Sequence, residues 1–152
     1  MAQILHRIGI KASVSKVYEA LSTIDGLSGW WTRETSGSSQ VGGSIEFRFR
    51  NDDGSIKGAF VMEVKTLEPN KKVTWLVNSG PPDWVGTDIN FSLAEEGDTT
   101  IVLFNHRNWE EATESMAHCS MKWATFMLSL RQHVETRNGL PAPDDVKIDN
   151  WN

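Results

Sequence analysis

The sequence contains a single cysteine, Cys119, which excludes a disulfide within the chain and is typical of a reducing compartment. It has no run of about 18 apolar residues that would span a bilayer, and its first residues, MAQILHRIGIKAS, lack the apolar core of a signal peptide. Lys and Arg number 15 against 20 Asp and Glu, a net charge of -5 without a basic stripe, which argues against nucleic-acid binding. We therefore expect a cytoplasmic protein that neither inserts into membranes nor binds nucleic acid.

Catalytic and cofactor motifs are also missing. The nearest approach to a nucleophile elbow, GLSGW, lacks the final glycine, and no H-E-x-x-H is present. The glycines of VGGS precede a predicted strand rather than opening a helix, so they do not form a phosphate-binding loop. On a helix the neighbours His118 and Cys119 point about 100° apart and make a poor metal pair. The sequence thus predicts no metal and no cofactor, and Cys119 is interpreted as a small buried apolar residue.

The first third of the chain predicts a strand followed by two short helical segments. QILHRIGIKA alternates in the manner of a strand. Ser13 is suited to cap a helix over VSKVYEALSTI, in which apolar residues recur at helical spacing. Gly26 and Gly29 are expected to break this helix, so that Trp30 and Trp31 fall in a short second helical turn or a loop.

From residue 43 the apolar period changes to two, as in strands with one buried face. The segments that show it are GSIEFRFRN, GAFVMEVKTLE, VTWLVN, TDINFSL and TTIVLFNH. The turn sequences NDDG, PNKK, SGPPDW and AEEGD separate them. Short connections and one polar face are typical of an antiparallel meander.

The last third returns to helical spacing from about residue 110 to 137. Gly139, Pro141 and Pro143 end this helix, and APDDVKIDNWN is expected to be extended. The order of elements predicts an α+β helix-grip fold, in which a curved antiparallel sheet of about six to seven strands wraps around a long C-terminal helix. We expect a single domain over residues 1–140 and a tail over 141–152, and the exposed Trp151 could dock this tail onto its own domain or onto a partner.

Several stretches resemble a known superfamily. They are SVSKVYEALST, GLSGWWT, VGGSIEFRF, VTWLV, TTIVLFNHRNW and KWATFMLSL. Together they are similar to the START-like or birch-allergen-like superfamily and, within it, to bacterial proteins related to the activator of heat-shock protein 90 ATPase. The strand TTIVLFNHRNW ends in HRNW, whereas the family pattern ends in a histidine, a small residue, a glycine and an aromatic residue. The missing glycine affects the expected local turn and not the expected fold. The stretches are packing patterns, so the resemblance specifies the fold far more than the function.

The resemblance implies a hydrophobic pocket between sheet and helix, and the chain has seven tryptophans with which to line it. The candidate ligand-binding residues are the inward-phased aromatic and methionine residues together with one histidine: Trp30, Trp31, Phe47, Phe49, Phe60, Met62, Trp75, Trp84, Phe91, Phe104, His106, Met116, Trp123 and Met127. The alternative is that these side chains fill one another's space as a solid core.

The tryptophan pair Trp30 and Trp31 and the single Trp84 carry separate expectations. Trp30 and Trp31 are adjacent on an irregular segment, so one is expected to point into the core and the other toward the opening or the solvent. Trp84 lies beside the loop sequence GPPD, where it would either cap the core or act as a lid.

His106 is the one candidate for chemistry. It shares the inward phase of Val102 and Phe104, so it either forms a hydrogen bond at the end of its strand or faces the pocket as an acid or base. Tyr18, Glu63 and Asn78 are the polar residues considered as its partners.

Three functions stay open. The protein binds a small hydrophobic or aromatic molecule without catalysis, or it is an enzyme of the polyketide cyclase or aromatase type that uses His106. The third, implied by the family resemblance, is a module that binds a chaperone and stimulates its ATPase. The sequence leaves the oligomeric state open.

Overall fold

The computed structural model describes residues 1–152 and contains one antiparallel sheet of seven strands with three helices. The strands and helices are, in chain order, β1 (Ala2–Ile10), α1 (Val14–Ser22), α2 (Ile24–Trp30), β2 (Glu34–Gly37), β3 (Ser44–Arg50), β4 (Ile56–Glu68), β5 (Lys72–Ser79), β6 (Asp88–Glu96), β7 (Thr99–Trp109) and α3 (Glu114–Thr136). The strand order β1-β7-β6-β5-β4-β3-β2 makes β2 to β7 a meander, with β1 added beside the last strand. The predicted helix-grip fold is confirmed.

The two short helices are separated at a different residue from the one expected. Thr23 has extended backbone angles, ends α1 and caps α2 by accepting a hydrogen bond from the amide of Gly26 at 3.0 Å. Gly26 and Gly29 therefore lie inside α2 instead of breaking a helix. A Cβ on Gly26 would lie 2.7 Å from Cα of Ala20, so this glycine allows the two helices to approach closely.

The strands extend further than their alternation indicates. β7 continues to Trp109, three residues past His106, and β4 begins at Ile56. The short strand β2 lies in the stretch for which no strand is predicted. It pairs with β3, where Thr35 lies opposite Phe47. Its serine and glycine content gives no period-two signal, so only the pairing with β3 identifies it.

The long helix α3 packs its apolar face into the hollow of the sheet. Thr113 caps its first turn, and the buried residues of the helix are Trp123, Phe126, Met127, Ser129 and Leu130. None of the three helices has the length and apolar character needed to cross a membrane.

The tail after α3 folds back onto the domain. The Ser129 hydroxyl donates to the Trp30 carbonyl and accepts from the Leu140 amide, both at 2.8 Å. Further along, the Ala142 amide donates to the Trp31 carbonyl at 2.8 Å. The expected extended tail is thus irregular but fixed against the segment that carries the two adjacent tryptophans.

The close approach of α1 and α2 generates the first prediction. Gly26→Ala places a methyl group against backbone atoms that cannot rotate away, so we expect the free energy of unfolding to fall by about 1 to 3 kcal/mol. The control is Gly58→Ala in β4, because a Cβ there would meet no atom within 4 Å. Urea unfolding measures both variants, and equal stability of the two would contradict the proposed role of Gly26.

Candidate functional site

A cavity of about 600 Å³ lies between α3 and the end of the β3–β4 hairpin, and it opens to the solvent on one side. The tail forms part of its rim. On β4, Gly58 lies opposite Phe49 of β3 and lines the cavity. A Cβ at Gly58 would meet nothing within 4 Å, so the space above this strand is empty.

The walls of the cavity are aromatic. Five of the fourteen predicted residues line it: Trp31, Phe49, Phe60, Trp84 and Trp123. The Phe60 and Trp84 rings stack with their centroids 4.6 Å apart and their planes 16° from parallel. Trp84 is 6% exposed, so it both caps the core and forms cavity wall.

The other nine predicted residues do not line this cavity, and their part in ligand binding stays a prediction: Trp30, Phe47, Met62, Trp75, Phe91, Phe104, His106, Met116 and Met127. With the exception of the half-buried Met116, they are buried in the interior of the domain. The two interpretations of the aromatic set, cavity wall and solid core, therefore apply to different parts of the same interior.

The adjacent tryptophans are both buried, with Trp30 0% and Trp31 2% exposed, so the expectation that one would face the opening or the solvent is only partly met. Trp31 borders the cavity and Trp30 does not. Trp30 is held by its indole N–H, which donates to the Ala20 carbonyl at 2.8 Å. The Trp31 ring lies 4.3 Å from Phe47 and 4.9 Å from Trp123 between centroids.

His106 lies in the middle of a continuous series of hydrogen bonds that runs from Trp123 to the Trp84 carbonyl. Trp123 donates through Nε1 to Nδ1 of His106 at 3.2 Å, so the proton of the neutral imidazole lies on Nε2. Nε2 then donates to Thr87 Oγ1 at 2.7 Å, and the Thr87 hydroxyl donates to the Trp84 carbonyl at 2.5 Å. Its partners are thus Thr87 and Trp123, and the Tyr18, Glu63 and Asn78 considered from the sequence are not among them.

This environment keeps His106 neutral. The side chain is fully buried, and burial lowers its pKa to about 3, against a smaller opposing effect from the charge of Asp88. Both ring nitrogens are occupied and neither faces the cavity. His106, on β7, therefore connects Trp123 of α3 to Thr87 in the loop before β6, and it has no free position for proton transfer to a ligand.

Cys119 also borders the cavity, where burial raises the pKa of its thiol to about 11. The thiol is therefore protonated at neutral pH and presents an apolar surface to a ligand. The structure brings no three His, Cys, Asp or Glu side chains into a cluster that would hold a metal ion.

The rim of the cavity is charged and joins the tail to α3. Lys122 of α3 contacts the carboxylate of Asp145, which also accepts from Lys147 at 2.9 Å. Burial on its own would raise the pKa of Asp145, but the hydrogen bonds from the two lysines lower it overall. Asp145 is therefore charged at neutral pH and fixes the tail between the two cations.

A second contact fixes the end of the tail. Asp149 lies 2.7 Å from Nδ1 of His118, and this hydrogen bond lowers the pKa of the carboxyl. The Trp151 ring packs on the same histidine with 5.5 Å between centroids. The tail therefore docks onto its own domain, one of the two possibilities that the sequence left open for Trp151.

Sequence reasoning missed the rim and part of the wall. The missed lining residues on the domain and the tail include Gly58, Lys57, His118, Lys122, Phe126, Asp145, Asp149 and Trp151. Only Phe126 carries a signal that could have identified it, because it shares the helical phase of Trp123 and Leu130. The rim residues become neighbours only when the tail folds back.

Comparisons with known proteins agree with this architecture. The model of the family described as Activator of Hsp90 ATPase homolog 1-like protein matches residues 11–135. The solution structure of the Aha1 dimer from Colwellia psychrerythraea is 45% identical, covers 91% of this chain and 100% of its own, and has a TM-score of 0.77.

More distant structures share the fold. A protein from Mesorhizobium loti is 19% identical over 91% of this chain and 100% of its own, with a TM-score of 0.75. DynU16, a protein in the dynemicin biosynthetic locus, is 18% identical over 95% of this chain and 49% of its own, with a TM-score of 0.71. No curated protein matches the chain.

The buried imidazole generates a prediction of pH dependence. The pKa of His106 is about 3 when folded and 6.5 when free, so between these values the unfolded state binds more protons. Its contribution to stability is complete above about pH 6.5 and falls as the pH is lowered, by about 2 to 3 kcal/mol between pH 7 and 4.5.

The control for this effect is His106→Gln, which replaces the imidazole with a side chain that accepts and donates but does not titrate. We expect the free energy of unfolding of this variant to depend less on pH than that of the wild type over the same range. Parallel pH profiles, or a midpoint for His106 near 6.5 in an NMR titration, would contradict the assignment.

Proposed function

The chain belongs to the Activator of Hsp90 ATPase homolog 1-like family, and on this premise we propose that it binds a small hydrophobic or aromatic molecule in the cavity between sheet and α3. The observation that carries the proposal is the empty space above Gly58, enclosed by aromatic rings. A volume of about 600 Å³ lies within the range of about 300 to 1,000 Å³ that small-molecule sites occupy.

The aromatic wall suits a flat or apolar ligand. Trp31, Trp84 and Trp123 are almost fully buried and are held by neighbouring rings, and in front of them the half-buried Phe49 and Phe60 offer ring surface to a ligand. A site with fixed walls loses little side-chain entropy when it binds. This favours binding of a rigid aromatic molecule over a reaction that needs mobile catalytic groups.

The other two hypotheses have less support. The cyclase or aromatase alternative depended on His106. This residue does not line the cavity, and both of its ring nitrogens are hydrogen-bonded, one to Thr87 and the other to Trp123. The chaperone alternative rests on the family name. The proposal therefore includes neither catalysis nor an ATPase partner.

The binding site involves both parts of the chain that the sequence predicts, the domain and the tail. Residues 1–140 form the domain that supplies the walls, and residues 141–152 form a tail that completes the rim. The proposal also keeps the cytoplasmic setting expected from the sequence.

The first test is a screen of sterols, fatty acids, flavonoids and aromatic polyketides by tryptophan emission and thermal melting. A ligand present at about 100 times its Kd should stabilise the protein by about 2.7 kcal/mol and raise Tm by about 5 to 10 °C. The emission should shift because four tryptophans, Trp31, Trp84, Trp123 and Trp151, line the cavity.

A pair of variants shows whether a hit occupies this cavity. Gly58→Leu extends a side chain into the empty space and should abolish the rise in Tm, whereas Gly58→Ala should largely keep it. Both variants should fold, because no atom lies within 4 Å of a Cβ at this position. Absence of any response in the screen, or unchanged binding by Gly58→Leu, would refute the proposal.

A further inference from the structure

The cations on the cavity rim differ in whether they already have a partner. Arg50 donates to both carboxylate oxygens of Glu34, at 2.5 and 2.9 Å. Lys122 and Lys147 share Asp145. Lys57 forms neither an ion pair nor a hydrogen bond, so it is the one lining cation whose charge the protein itself leaves uncompensated by direct contact.

The surroundings of Lys57 make its positive charge costly. Burial lowers the pKa of Lys57, and the charge of Lys122 lowers it further. Asp145 and Asp149 act in the opposite direction, but both carboxylates are already bound, Asp145 by lysines and Asp149 by His118. An anion arriving beside Lys57 would relieve the repulsion between the two lysines.

The third carboxylate of the lining is Asp52. Asp52 is an exposed residue of the hairpin turn and is not among the charges that act on Lys57. The chain as a whole carries a net charge of -5 and repels anions at long range. Attraction of an anion must therefore come from a local contact at the mouth.

The cavity thus combines aromatic lining residues with one exposed cation, Lys57, that has no partner within the protein. We propose that its ligand is an aromatic carboxylate, whose carboxylate contacts Nζ of Lys57 while its ring system lies above Gly58 against the half-buried rings of Phe49 and Phe60. The inference rests on the proposed function and adds the class of ligand. A charged partner for Lys57 supplies orientation, because a ligand bound the other way would bury its carboxylate among aromatic rings.

The test uses two probes of nearly equal size, 2-naphthoic acid, which is ionised at pH 7.5, and 2-naphthamide, which is neutral. Titration followed by tryptophan emission gives Kd for each. We expect the wild type to bind the acid more tightly than the amide. Lys57→Gln should weaken binding of the acid by about 5- to 10-fold and leave the amide unchanged, since the contact is charge-assisted but partly exposed.

Two further variants control the comparison. Lys57→Arg keeps the charge and should restore most of the affinity for the acid. Lys65→Gln removes a lysine of the same strand that pairs with Glu63 and does not line the cavity, so it should bind both probes as the wild type does.

The possible results separate the two proposals. Equal affinity of the wild type for acid and amide, or equal weakening of both by Lys57→Gln, overturns the carboxylate inference and leaves the cavity as a binding site. Failure of both probes to bind contradicts the carboxylate inference and the proposed function together.

Discussion

The indole of Trp31 lies at the point where sheet, helices and tail meet, and most of the interior is arranged around it. Its ring contacts Phe47, Phe49, Trp75 and Trp123, with centroid distances between 4.3 and 5.9 Å. The underlying constraint is volume. A seven-stranded sheet curved around one helix encloses more space than the helix fills, so large aromatic side chains must occupy it or leave a hole. In this protein they do both, with a packed region on one side of Trp31 and a cavity on the other.

The buried polar groups are arranged to support this packing. His106 and the Trp123 indole would each be costly to bury alone, but together with Thr87 and the Trp84 carbonyl they satisfy one another. The chain of bonds sets the orientation of Trp123 and fixes the segment that carries Trp84, and both residues form cavity wall. A histidine that suggests catalysis from the sequence thus acts by positioning aromatic walls.

Charge is kept to the rim of the cavity, where the tail completes it. The lining combines aromatic rings and a protonated thiol with the charged side chains of Lys57, Lys122 and Asp145. This combination matches an amphipathic ligand more closely than a purely apolar one. It also makes the tail part of the site, because Asp145 pairs with Lys122 of α3, a cation that would otherwise compete with Lys57 for an anion.

The sequence by itself determined the helix-grip fold, since the change of apolar period from helix to strand and back is a local property of the chain. It also determined the inward face of every strand except β2, and therefore the pool of aromatic residues from which the cavity is built. The tertiary structure alone decided which of them face empty space, because this depends on sheet curvature and on where α3 crosses it. The tertiary structure also decided that Gly58, Lys57 and the docked tail belong to the site. They lie far from Trp31 and Lys122 in sequence, and no local pattern encodes the contacts that bring them together.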